Sequence, residues 1–131
     1  MKKLLISSLA VAAVAGWTTW SVIADETGKQ KKEAEAKTIK GEVVDMYCYL
    51  DHGAKGEKHK QCATDCINGG MPVGLLTDEH VVLVVGEGHK LLNTKLAPMA
   101  GETVKVTGKV VHQKGVQMII VKNPDTDIVK E

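Results

Sequence analysis

Five residues able to bind a metal or carry thiol chemistry, Cys48, His52, His59, Cys62 and Cys66, fall in one short stretch that holds all three cysteines of the chain. If the run after Lys55 is helical, His59, Cys62 and Cys66 follow one another at spacings of three and four, which puts them on one face of an α-helix. That face presents one imidazole and two sulfurs. Cys48 ends an apolar run just upstream and needs to fold back over only about a dozen loop residues to become a fourth donor. Cys48, His59, Cys62 and Cys66 together make a Cys3His set, the tetrahedral donor combination of closed structural zinc sites. Without His59, three thiolates suit Cu(I) in a trigonal site, and Met46, His52 and Met71 are further donors within sequence reach.

Two other uses of the cysteines compete with a metal site. One is a structural disulfide with a spare thiol. Cysteines at i and i+4 of an intact helix stand about 6 Å apart at Cβ, whereas a disulfide needs about 3.5–4.5 Å. Cys62 with Cys66 is therefore the least favoured pair, and a bridge from Cys48 to either would contribute about 3 kcal/mol. The other use is redox or nucleophilic chemistry. Oxidoreductases use Cys-x-x-Cys with the first thiol at a helix N-terminus, but here the spacing is Cys-x-x-x-Cys and Cys62 falls inside the expected helix. Lys58 and Lys60 would favour a thiolate only modestly. The Cys-x-x-Cys-His motif for covalent haem is absent, and no local signature supports a cysteine nucleophile with His59 or His52 as its base.

The elements that must position these residues follow a leader and a linker. Lys2 and Lys3, the apolar Leu4 to Ala15 and the cleavage pattern Val22-Ile23-Ala24 make residues 1–24 a secretory signal peptide. The apolar run is broken by Thr18, Thr19 and Ser21 and falls near the short limit for a spanning helix, so no stable membrane insertion is expected after cleavage. The expected location is periplasmic or extracellular, where disulfides persist. Seventeen lysines less the two in the signal leave fifteen against sixteen carboxylates, a net charge of −1 for the mature chain. That balance gives no basis for a nucleic-acid partner. Both Trp are in the signal and there is no Phe, so Tyr47 and Tyr49 are the aromatics left for base stacking.

Residues 25–37 are a charged linker without an apolar face. The folded domain, expected at 38–123, opens with a β-branched strand running to about Tyr49, with Gly41 marking a bulge or bend. Residues 51–70 are the inserted Cys/His segment: a glycine-containing loop, then a helix over Lys58–Asn68 stopped by Gly69 and Gly70. Val73–Thr77 and His80–Val85 form a hairpin, and Leu91–Ala100 a short helix broken at Pro98. Glu102 to Val111 alternates, with Val104, Val106, Gly108 and Val110 on one side, and Val116–Val121 is the last strand. Residues 124–131 read as a polar tail. Five short strands with glycine-rich turns and a helix before the fourth suit a mainly β, five-stranded Greek-key barrel of the OB type.

The pattern Leu96-Ala97-Pro98-Met99-Ala100-Gly101-Glu102-Thr103-Val104-Lys105-Val106-Thr107-Gly108 within residues 91–121 resembles the second half of small exported bacterial OB-fold proteins. Val44-Asp45-Met46-Tyr47-Cys48-Tyr49, with His59, Cys62, Cys66 and Pro72-Val73-Gly74-Leu75-Leu76, is similar to a group of exported bacterial proteins that carries no reaction with it. The barrel resemblance implies a fold and not a chemistry. His80, His89 and His112 are expected at the surface. Asp45, Asp51 and Asp65 are expected as solvated or capping carboxylates, and Met46, Met99 and Met118 in the core.

The resulting expectation is an exported, non-enzymatic module whose ligand is a metal ion, copper or zinc, or a small molecule. Its alternatives are a disulfide-stapled interaction domain and a thiol redox protein.

Overall fold

The computed structural model describes residues 35–131, so the expected signal peptide at 1–24 and most of the expected linker lie outside the described residues. Six strands form one sheet: β1 (Ala36–Asp45), β2 (Val73–Leu76), β3 (Val81–Gly86), β4 (Thr103–Gln113), β5 (Val116–Val121) and β6 (Ile128–Lys130). Their order is β1-β2-β3-β5-β4-β6, and a further pairing of β1 with β4 closes the first five into a barrel. β3 and β5 run parallel, and every other pairing is antiparallel. This is a small OB-like barrel with one added strand.

Closure depends on β1 serving two partners. Its first part, Ala36 to Glu42, pairs with β4, and Glu42 to Asp45 pairs with β2. Gly41 lies at the changeover, where a side chain would be forced to within 2.5 Å of the Leu76 carbonyl oxygen. A strand can pass so close to its neighbour only without a Cβ. The alternation expected along β4 is present: Val104, Val106 and Gly108 are buried while Thr103, Lys105 and Lys109 are exposed. Val43, Leu75, Val82 and Ile119 fill the interior from the other strands.

Three helices beyond the barrel strands matter for the cysteines. α1 (Met46–His52) and α2 (Lys60–Asn68) lie between β1 and β2, with a 3-10 turn over Glu57–His59 leading into α2. α3 (Asn93–Leu96) precedes β4 and runs into a second 3-10 turn at Ala97–Met99. α2 buries Ala63 and Ile67, four residues apart, into the same core as Leu96 and Ala97. Its C-terminal end is tied to α3 by the Asn93 amide, whose Nδ2 donates to the carbonyls of Ile67 at 2.7 Å and Met71 at 2.8 Å. Thr64 Oγ1 donates to the Ala97 carbonyl at 3.1 Å.

Three boundaries differ from the sequence expectation, the first being the start of β1 at Ala36, inside the expected linker. The first strand stops at Asp45 and not near Tyr49, because Asp45 caps a helix: its carboxylate accepts from the Cys48 amide at 2.8 Å and the Tyr47 amide at 3.3 Å. Gly53, at φ 71°, ends that helix in the left-handed conformation. Residues 124–131 are not a free tail. Pro124 opens the short α4 (Pro124–Asp127), and β6 pairs with β4 with Ile128 buried in the core. Among the described residues no helix is long and apolar enough to cross a membrane.

Candidate metal centre

Cys48 lies in the first turn of α1, and Cys62 and Cys66 lie one turn apart on α2. Asp45 starts α1 and fixes the Cys48 amide, so the residue that ends β1 also sets the position of the first sulfur. α2 is held by its buried face: Ala63 and Ile67 point into the core, and the side chains one position earlier, Cys62 and Cys66, emerge beside that face toward α1.

The three Sγ atoms lie within 4.8 Å of one another. The Cys48 and Cys66 sulfurs are 3.9 Å apart. With metal–sulfur bonds of about 2.3 Å, sulfurs stand about 4.0 Å apart around a trigonal ion and about 3.8 Å apart around a tetrahedral one. The three thiols are therefore spaced to share one ion. All three are free, with no pair at bonding distance, so the structure does not show the alternative disulfide.

His59 stands elsewhere. Among the described residues, the group of donors that converge within 4.8 Å contains the three cysteines without it. His59 belongs to the 3-10 turn that follows Gly56, at φ 73°, and it occupies the N-cap position of α2. Its ring lies near that of His52, with centroids 6.1 Å apart and the planes tilted by 57°. His52 in turn is exposed and bonded through Nδ1 to Asp51 at 3.1 Å. Met46 places its thioether over Gly74, where a Cβ would strike it.

Burial grades the three sulfurs. Cys48 is buried at 8 % exposure, Cys66 is half-buried and Cys62 is exposed. The Cys48 thiol is pushed up to about 12 by hydrogen bonding with Asp45, by burial and by the Cys66 sulfur. Burial also pushes the Cys66 thiol up. No lysine offsets this: the Lys60 ammonium is bound to Glu102 at 2.7 Å and lies in reach of Glu57 at 3.9 Å. Both shifts favour the protonated thiol over the thiolate in the metal-free protein.

Asp45 takes the capping role, one of the two expected for it. It is buried at 2 % exposure and not solvated, and it lies beside the sulfur it helps to place. The signal was legible, since an Asp followed by a short run that ends in Gly53 is a capped helix. His80, His89 and His112 are exposed on strand ends and turns. An open groove of about 1000 Å³ between β1, the loop after α1 and the β2–β3 turn is lined by Lys40, Tyr49, Lys55, Lys58 and Asp78 among others, and none of the cysteines borders it.

Compared with protein-family models, with curated proteins and with solved structures, the chain matches none of them.

Proposed function

We propose that the protein is an exported, non-enzymatic module that binds one soft metal ion through Cys48, Cys62 and Cys66. The observation that carries this reading is the convergence of three thiols from two helices to within 4.8 Å. Cu(I) is preferred over Zn(II). Zinc completes a tetrahedron, and among the described residues no fourth His, Cys, Asp or Glu donor joins the group. Cu(I) accepts three thiolates alone. Export is supported by the basic, apolar and small-residue pattern of residues 1–24, and it places the module in the periplasm or outside the cell.

The test is loading of reduced protein with Cu(I) or Zn(II) under anaerobic conditions, followed by elemental analysis and thiol counting with and without chelator. One Cu(I) per chain, with three thiols titratable only after chelation, supports the reading. Metal-free protein with one intramolecular bridge and one thiol overturns it in favour of the disulfide-stapled domain.

A further inference from the structure

The three sulfurs differ in what surrounds them, and the difference gives the site a direction. Cys48 is buried, follows the buried Val44 and Asp45, and has its amide bonded to the Asp45 carboxylate at 2.8 Å. Cys66 is half-buried and precedes Ile67, which is fully buried. Its carbonyl accepts from the Met71 amide at 3.0 Å, which holds the end of α2 closed behind it. Cys62 is exposed, in the first turn of α2. An ion held by all three is covered on the Cys48 side and open on the Cys62 side. No fourth donor of the His, Cys, Asp or Glu type fills that opening among the described residues.

Resting on the metal-binding reading above, we infer that this is an exchange site. Cys48 and Cys66 retain the ion, and an incoming thiolate takes the place of Cys62 on it. The partner it fits is a molecule that presents an accessible thiolate. The step is ligand substitution. The incoming sulfur donates an electron pair to the ion, and the bond from the ion to Cys62 breaks with its pair left on the Cys62 sulfur, which then takes a proton from water. No electron is transferred and the ion keeps its oxidation state. Because Cys62 is on the solvent side, the entering group need not displace any packed side chain. Substitution by attack at a three-coordinate centre is accordingly faster than release of a free ion.

Racemic dithiothreitol is the acceptor for the test, and wild-type protein carrying one Cu(I) is the donor, mixed without oxygen. Loss of the near-ultraviolet circular dichroism of the copper–thiolate bonds gives the transfer rate. A tenfold rise in dithiothreitol is expected to raise that rate about tenfold. A rate independent of the acceptor overturns the exchange mechanism and leaves metal binding intact. Failure to load Cu(I) at the first step overturns both, so the two failures are told apart.

Cys62→Ser separates the sulfurs. It is expected to lower bound Cu(I) by less than half, while Cys48→Ser loses at least nine-tenths of the bound metal. Equal losses in the two variants overturn the assignment of Cys62 as the departing sulfur. Should Cys62→Ser fail to fold, as judged by far-ultraviolet circular dichroism, iodoacetamide labelling of loaded wild-type protein decides the point. Cys62 is expected to be alkylated at least tenfold faster than Cys48 or Cys66, and uniform labelling overturns the assignment.

Discussion

The Cys48 and Cys66 sulfurs stand 3.9 Å apart although eighteen positions separate them in the chain. α1 brings one and α2 the other. The distance is too long for a disulfide and right for two sulfurs on one ion.

Substitution should therefore separate the ligands from their neighbours. Cys48→Ser and Cys66→Ser are each expected to lower bound Cu(I) from one per chain to under a tenth, by elemental analysis after desalting. His59→Ala is expected to leave the stoichiometry at one. A loss of metal in His59→Ala comparable with that in Cys66→Ser would return His59 to the ligand set.

Ile67 connects the metal centre to the barrel. Fully buried among barrel and α3 residues, it holds the helix that carries two of the sulfurs. Ile67→Ala is expected to cost about 2–5 kcal/mol, read from urea denaturation of the metal-free protein. Metal affinity should fall with it, because α2 would no longer be held against α1.

Glu102 makes the fold sensitive to acid. Lys130 and Lys60, each 2.7 Å from its carboxylate, hold its ionisation below the usual carboxylate range. A carboxyl lowered on folding stabilises the protein above the unfolded-state value, and that contribution disappears as pH falls through the folded-state value. Urea midpoints measured downward from about pH 6 should fall more steeply in the wild type than in Glu102→Gln. Parallel curves would show that Glu102 contributes nothing to the acid limb.

Cys48 gives the opposite slope at alkaline pH. Its thiol is pushed up to about 12 in the folded chain, so folding favours the protonated form. The stabilisation is present below the ordinary thiol range and is lost as pH rises from there toward about 12. The metal-free protein is expected to lose stability over that interval, and Cys48→Ser to lose less. Asp45→Ala removes the helix cap and is expected to cost about 1–2 kcal/mol. Asp45→Asn keeps a cap while removing the charge beside the thiol, so it should retain most of that stability and flatten the alkaline slope.

Much of this architecture was legible in the residues. The alternation from Val104 to Val110, the β-branched run through Val84 and the four-residue spacing of Cys62 and Cys66 each report a period set by local geometry, and these elements stand near their expected places. What was misplaced depended on competition between signals. Val43 and Val44 favour a strand, and Tyr47 and Tyr49 prolong that pattern, yet the Asp45 carboxylate and Gly53 bracket a helix that overrides it. The three-and-four spacing predicts His59 beside Cys62 and Cys66, but His59 lies in the 3-10 turn before α2 and stands apart from the converging cysteines. β6 was missed because three residues are too few for a period, and its pairing with β4 is a long-range relationship.

The helical detour between β1 and β2 departs and returns at one rung of the ladder: Asp45 faces Val73, and the Met46 amide donates to the Pro72 carbonyl at 3.0 Å. Two neighbouring antiparallel strands would meet there whatever joined them. The sulfur-bearing segment is thus a cassette moored by Ala63 and Ile67. Its outward side can be rewritten, in evolution or at the bench, without renegotiating the barrel beneath it.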